Sequence, residues 1–260
     1  MVNTTLATPR AQCLRCLRPC ANCLCAWAVP VEAVPQVLLL QHPAEMAHAK
    51  GTARLLHLCL AHSRLEVGET FEPAALAQWI TAPAGAAQAP DAAGSRPAPM
   101  HAVLLYPPAA PGALQDPALP LQAPPALPAH WLDHPAALRI VVIDGTWRKS
   151  RKMLYLNPLL QQLPRLPLAD LPASRYGPLR KAHAAHQLST LEATCAALAQ
   201  IEGDAARYAP VLAAMDGWLA RQQRWQAGGA GAGEVPMPPS PPLLHLLHLL
   251  HLPPNPPASD

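Results

Sequence analysis

The sequence predicts an α/β fold around a mostly parallel sheet, preceded by a small cysteine-built segment. Three observations carry this. Short apolar runs alternate with stretches of helical pattern, the arrangement that gives a parallel sheet covered by helices. Three of those runs, PQVLLLQ, HAVLLYP and LRIVVID, are the length of buried strands and too short for buried helices. Residues 13 to 25 hold five of the seven cysteines, too many for chance in so short a stretch.

Taken in chain order, the cysteines come first, as Cys13-x2-Cys16-x3-Cys20-x2-Cys23-x-Cys25. Zinc takes four tetrahedral thiolate or imidazole ligands, and two-residue gaps let a tight turn present a pair of them. Five thiols compete for four places, and a redox-active pair is the rival reading. The run at residues 36–42 is a strand that ends in a His-Pro-Ala-Glu turn. A helix is expected from Ala53 to Leu60, with Leu55, Leu56 and Cys59 inward. Another is expected from Pro73 to Ile80, where proline in the first turn forfeits no hydrogen bond. HAVLLYP is a strand ending at Tyr106-Pro107. LRIVVID, β-branched and apolar, is a strand ending at Asp144, with a helix beyond it to about Leu156. Ser189-Thr190-Leu191-Glu192 is a capping-box pattern opening a helix to about Ile201. A last helix runs from about Ala205 to Trp225, kinked or started at Pro210. Cys59 and Cys195 lie in apolar helical settings and read as small core residues.

Composition sets the limits. The chain has 260 residues, room for one domain with attachments, and 34 prolines, which impose long irregular stretches. Residues 81–100 and 107–130 are Pro-rich insertions. Residues 227–260 are a low-complexity tail, and His245, His248 and His251 read as part of its LLH repeat rather than as a metal site. The expected organisation is a cysteine-rich segment over 1–28, a catalytic domain over 29–226 and that tail. No secretory pattern opens the chain and no apolar run is long enough for a membrane span, so the cytoplasm is the expected compartment and clustered cysteines there favour metal over disulfides.

Net charge is only +3, but its distribution is uneven. Between Arg148 and Lys181 eight Lys or Arg stand against one acid, Asp170, which is +7 in 34 residues. Such a block is either a solvated face or a surface for a polyanion. Arg148, Arg151, Lys152 and Tyr155 fall at i, i+3, i+4 and i+7 and so share one helix face. Arg175, Tyr176, Arg180 and Lys181 form a second basic-aromatic stretch. At the end of the best strand, Asp144-Gly145-Thr146-Trp147 puts a carboxylate, a hydroxyl and an indole at one turn, with Gly145 expected to allow an unusual backbone. Taken alone, Asp144 would be a helix cap and Trp147 a core residue. In an open parallel sheet, however, ligands bind beyond the carboxyl ends of strands, where Asp144 and Tyr106 both lie.

Six ordered blocks between residue 13 and about 200 resemble the DTW-domain family. They are Cys13, Cys16, Arg18, Pro19, Cys23 and Cys25; His42-Pro43-x-Glu45 with Thr52-Ala53-Arg54-Leu55-Leu56; Leu105-Tyr106-Pro107; Asp144-Gly145-Thr146-Trp147 continued by Lys152-Met153-Leu154; Tyr176-x3-Arg180; and Leu188 to Ala193. Cys20 is an additional thiol, and Gly51 replaces the family's asparagine. The resemblance implies a SPOUT-like sheet with a knotted C-terminal part that holds S-adenosylmethionine. It implies transfer of the 3-amino-3-carboxypropyl group of that donor to N3 of a tRNA uridine, in the variable loop for the bacterial type, with release of 5′-methylthioadenosine. Cys13, Cys16, Cys23 and Cys25 are then the zinc ligands. Asp144, Thr146 and Trp147 are the catalytic candidates, with Asp144 as base or orienter. Tyr106, Gly145, Thr146, Trp147, Leu188, Ser189, Thr190 and Ala193 are the donor-site candidates, and the helix start near Ser189 is expected to offer N–H groups to the donor's carboxylate. Arg148, Lys149, Arg151, Lys152, Arg180 and Lys181 are the tRNA-contact candidates. An RNA methyltransferase and a non-catalytic, zinc-stabilised RNA-binding module are the competing functions.

Overall fold

The computed structural model describes residues 11–46, 48, 51–82, 100–107, 120–169, 174, 175 and 188–226. Most of the 81–100 insertion, half of the 107–130 insertion, Tyr176, Arg180, Lys181 and the 227–260 tail lie outside them.

Four strands, β1 (Gln36–Gln41), β2 (Ser63–Val67), β3 (His101–Leu105) and β4 (Leu138–Asp144), form one sheet in the order β2-β1-β4-β3. All neighbours are parallel. The two central strands pair from Gln36 with Arg139 to Gln41 with Asp144, so their carboxyl ends are level. Side chains alternate across the sheet, and each face has its own core. Val37, Leu39, Val103, Ile140 and Val142 face α1 (Ala53–Cys59), α5 (Thr190–Glu202) and α6 (Ala209–Gln226). Leu38, Leu40, Ala102, Leu104, Val141 and Ile143 face α2 (Pro73–Thr81), α3 (Trp147–Leu156) and α4 (Pro158–Gln161). The result is three layers, with the sheet covered on both sides, which explains why its central strands are continuous apolar runs.

The helix ends follow from local chemistry. Glu72 caps α2 by accepting from the Ala75 N–H at 2.7 Å, with Pro73 in the first turn. The capping box at α5 forms in full: Ser189 Oγ accepts from Glu192 N at 3.2 Å and Glu192 Oε2 accepts from Ser189 N at 2.8 Å. That helix ends at Gly203, whose φ of 67° is the left-handed conformation that suits glycine. The helix α1 stops at Cys59, one residue earlier than expected, and Leu60 pairs with Val31 instead. Before α6 a separate 3-10 turn spans Ala206–Tyr208, and Pro210 sits in the helix's first turn without a hydrogen bond to lose.

Two features escape the sequence reading. The strand β2, Ser-Arg-Leu-Glu-Val, is an edge strand with no residue fully buried. Residues 164–166 run parallel to β3 on its outer side: Leu104 N donates to Pro164 O at 2.8 Å and Leu166 N to Leu104 O at 3.0 Å. The cysteine-rich segment packs against α6. Trp27 covers Gly217, Arg221 Nη2 donates to Ala21 O at 3.0 Å, and Gln222 Nε2 donates to Asn22 Oδ1 at 2.5 Å.

Candidate functional site

After β1 the chain turns to α1 on one face of the sheet; after β4 it turns to α3 on the other. Two adjacent strands whose continuations diverge leave a crevice at their carboxyl ends, the usual ligand position in such sheets. Gln41 and Asp144 face each other there.

Asp144 is buried, and both carboxylate oxygens accept hydrogen bonds: Oδ2 from Gln41 Nε2 at 2.9 Å and Oδ1 from Thr190 Oγ1 at 2.6 Å. The strand-end block and the 188–193 turn are therefore joined directly, although 46 residues separate the two side chains. Gln41 Oε1, equally buried, has no hydrogen-bond partner. Gly145 does not have the left-handed backbone expected of it; among the described glycines only Gly203 does. Its reason is space: a Cβ there would lie 3.3 Å from Lys149 Cβ and 3.7 Å from His42 Cβ. Thr146 caps α3, its hydroxyl accepting from Lys149 N at 3.4 Å. Trp147 is not in the core. The residue is 43% exposed, and its ring meets Tyr106 edge-to-face, with centroids 5.8 Å apart. An aromatic ledge thus stands over the ends of β3 and β4.

The turn before α5 is Leu188, half-buried, then the buried Ser189. Thr190 and Ala193 are half-buried beyond it. Several N–H groups at this helix start are already used. Ser189 N goes to Glu192, Glu192 N to Ser189 Oγ, and Leu191 N to Thr52 Oγ1 at 3.4 Å.

The outward face of α3 carries Arg148, Lys152 and Tyr155, with Arg151 half-buried beside them, while Ser150, Met153 and Leu154 are buried. Two of the lysines have partners. Lys149 Nζ donates to Glu45 Oε1 at 2.7 Å, and Lys152 Nζ to Glu69 Oε2 at 2.9 Å. His42 lies 3.1 Å from the other Glu69 oxygen. These two donors, Lys152 first, hold the Glu69 carboxyl below its ordinary range. Arg148 is exposed. Cations in the first turn of a helix oppose its macrodipole, so their placement here calls for a nearby anion.

The four sulfurs of Cys13, Cys16, Cys23 and Cys25 all lie within 4.8 Å of one another. The Cys13–Cys25 and Cys16–Cys23 pairs are each 3.7 Å apart. Thiolates bound 2.3 Å from one tetrahedral centre would sit about 3.8 Å apart, so the set fits zinc. Cys20 is exposed and outside the group. Backbone N–H groups of Cys16 and Arg15 bring the Cys13 thiol down to about 6, whereas burial pushes Cys25 up to about 12. Arg18 ties this segment to the crevice loop, its Nη2 donating to His48 O and Gly51 O, both at 3.0 Å.

A family model described as the DTW domain matches residues 10–223. The chain belongs to the DTW-domain family. Curated relatives named tRNA-uridine aminocarboxypropyltransferase 2 include those of Macaca fascicularis and Mus musculus, each 27% identical over 201 residues, covering 75% of this chain and 58% of the relative. The Drosophila melanogaster protein of that name is 29% identical over 202 residues, covering 74% of this chain and 67% of its own. This DTW chain thus spans 58% of the length of the first two. No solved structure matches it. No helix among the described residues is long and apolar enough to cross a membrane.

Sequence reasoning missed Gln41, Glu69 and Arg165. Gln41 ends the first strand as Asp144 ends the fourth, a positional signal that was available. Glu69 and Arg165 had none, because an edge strand and a pairing segment that carry no hydrophobic pattern bring them to His42 and to Tyr106.

Proposed function

We propose that this DTW domain transfers the 3-amino-3-carboxypropyl group of S-adenosylmethionine to N3 of a tRNA uridine, in the variable loop, and releases 5′-methylthioadenosine. The observation that carries this reading is the junction of Asp144 with Thr190, which brings the family's strand-end block and its last block together at the sheet's crevice. The knotted, SPOUT-like topology belongs to this proposal. The family match over residues 10–223 supports it. On this reading the protein works in the cytoplasm, on tRNA.

In the reaction the uridine N3–H gives its proton to solvent water, an N3–carbon bond forms, and the carbon–sulfur bond breaks with its electron pair going to sulfur. The sulfonium leaves readily, so the protein's task is mainly alignment. Thr146, Trp147 and Tyr106 would hold the donor with the 188–193 turn. Asp144 is assigned the orienting role: Gln41 and Thr190 hold its two oxygens, which fixes the carboxylate in place at the crevice. Arg148 and Arg151 with Lys149 and Lys152 would track the RNA backbone, together with Arg180 and Lys181. Cys13, Cys16, Cys23 and Cys25 would hold zinc, which when bound orders the segment packed on α6.

The test is mass spectrometry of nucleosides from unmodified tRNA incubated with the protein and S-adenosylmethionine. A uridine heavier by one aminocarboxypropyl group, with methylthioadenosine released, is the expected result. A methylated nucleoside would replace this reading with a methyltransferase, and tRNA binding without any adduct would replace it with a binding module.

A further inference from the structure

Arg165 sits beside β3, opposite Leu104, with its backbone fixed by the two hydrogen bonds that flank it. Its guanidinium carbon lies 5.4 Å from the centroid of the Tyr106 ring, on the side of the sheet where Tyr106 meets Trp147. Nη1 is shut off from solvent and has no hydrogen-bond partner. No carboxylate among the described residues pairs with it. Contact with a ring face satisfies charge but not N–H groups, and buried donors are rarely left so.

From this geometry we infer that Arg165 is the anchor for the donor's carboxylate, an inference that rests on the donor proposed above. The lysines of α3 already have carboxylate partners, Lys149 in Glu45 and Lys152 in Glu69. The start of α5, the obvious alternative, has spent the N–H groups of Ser189, Leu191 and Glu192 on the fold itself. Arg165 is a preplaced cation with unused donors at the edge of the aromatic ledge. Its planar fork matches a carboxylate in two parallel bonds. A phosphate of a long RNA chain stays in solvent and suits an exposed side chain such as Arg148. A half-buried guanidinium suits a small ligand's carboxylate. Burial pulls the Arg165 pKa down, the direction expected of a cation taken from water without a carboxylate partner.

Calorimetry with the full chain separates the possibilities, because 5′-methylthioadenosine is the donor without its aminocarboxypropyl group. Arg165→Met, which keeps a stem over Tyr106, is expected to weaken S-adenosylmethionine binding by about 10- to 100-fold, the scale of a lost charge-assisted pair. Methylthioadenosine binding should stay within about twofold, and Arg165→Lys should recover part of the loss, as a point charge without the fork does. An equal fall for both nucleosides would make Arg165 a mere prop for the ledge and overturn the inference. So would unchanged donor affinity, including the case where only tRNA affinity falls, which would reassign the cation to phosphate. A wild-type chain that binds neither nucleoside would remove the donor reading itself, a failure visible before any variant is made.

Discussion

At the scale of single residues, Asp144 is the test of mechanism. Its two oxygens accept from Gln41 and Thr190, so removing its charge leaves a site that an amide can partly rebuild. A flipped Gln41 presents its Oε1, now without a partner, to the new amide N–H. Asp144→Asn is therefore expected to lower turnover by no more than about tenfold, whereas loss of a general base costs roughly 10²- to 10⁴-fold. Single-turnover rates on tRNA decide it, and a loss in that larger range would restore Asp144 as the base. The cysteines give a second residue-scale prediction. Cys20 lies outside the group of four sulfurs, so Cys20→Ser should keep one zinc per chain. Cys23→Ser should lose the metal and about 2 kcal/mol or more of stability, since loss of a metal is among the large-effect mechanisms, which is roughly 4–8 °C in melting temperature. Zinc analysis of the two purified variants reads this directly, and loss of metal from Cys20→Ser would mean that the ligand set is wrong.

Between elements, the contact that matters most is the one between the cysteine-rich segment and α6. A Cβ on Gly217 would stand 2.3 Å from the Trp27 ring, so that glycine is the socket for the tryptophan. In an open helix a Gly-to-Ala change stabilises by about 1 kcal/mol. Here Gly217→Ala is expected to destabilise by roughly 1–2 kcal/mol, as overpacked sites do. Combined with Trp27→Leu it should cost less than the sum of the two single changes. Denaturant melts of the three variants check it; simple additivity would show that the two residues do not compete for the same space. This junction also shows where sequence reading reaches its limit. The strands β1, β3 and β4 were legible because they are buried on both faces and hence continuously apolar, and α5 was legible because its capping box is local chemistry. The edge strand β2 was not, since its exposed positions Arg64 and Val67 blur any alternation. The site divides the same way. Asp144, Tyr106 and Thr190, residues of the proposed site, were legible because each stands at the end or start of a legible element. Arg165 was not, because 164–166 joins the sheet by backbone pairing with Leu104 that leaves no trace in composition.

On the scale of the whole molecule, a net charge of +3 is too small to attract a polyanion by itself, so under the proposed function attraction comes from where the charges stand and which of them already have partners. The basic block read from the sequence counts all its lysines alike, but the fold does not. Lys152 shares Glu69 with His42, and Lys149 is bound to Glu45, so both enter any encounter partly neutralised. Arg148 stands exposed on the first turn of α3, beside Trp147 and facing away from the core. Each phosphate contact with a cation contributes about 0.7–0.9 to the slope of log affinity against log salt concentration, because counterions are released. Arg148→Ala is thus expected to weaken tRNA binding for all tRNAs alike and reduce that slope by nearly one. Lys152→Ala should change it by less than half as much. Glu69→Gln, which releases Lys152 from its partner, should strengthen binding and steepen the slope. Filter binding between 50 and about 200 mM salt distinguishes these outcomes, the range over which such effects are large. If Arg148→Ala left the slope unchanged, the outward face of α3 would be a solvated surface and the RNA would have to approach the crevice from another side.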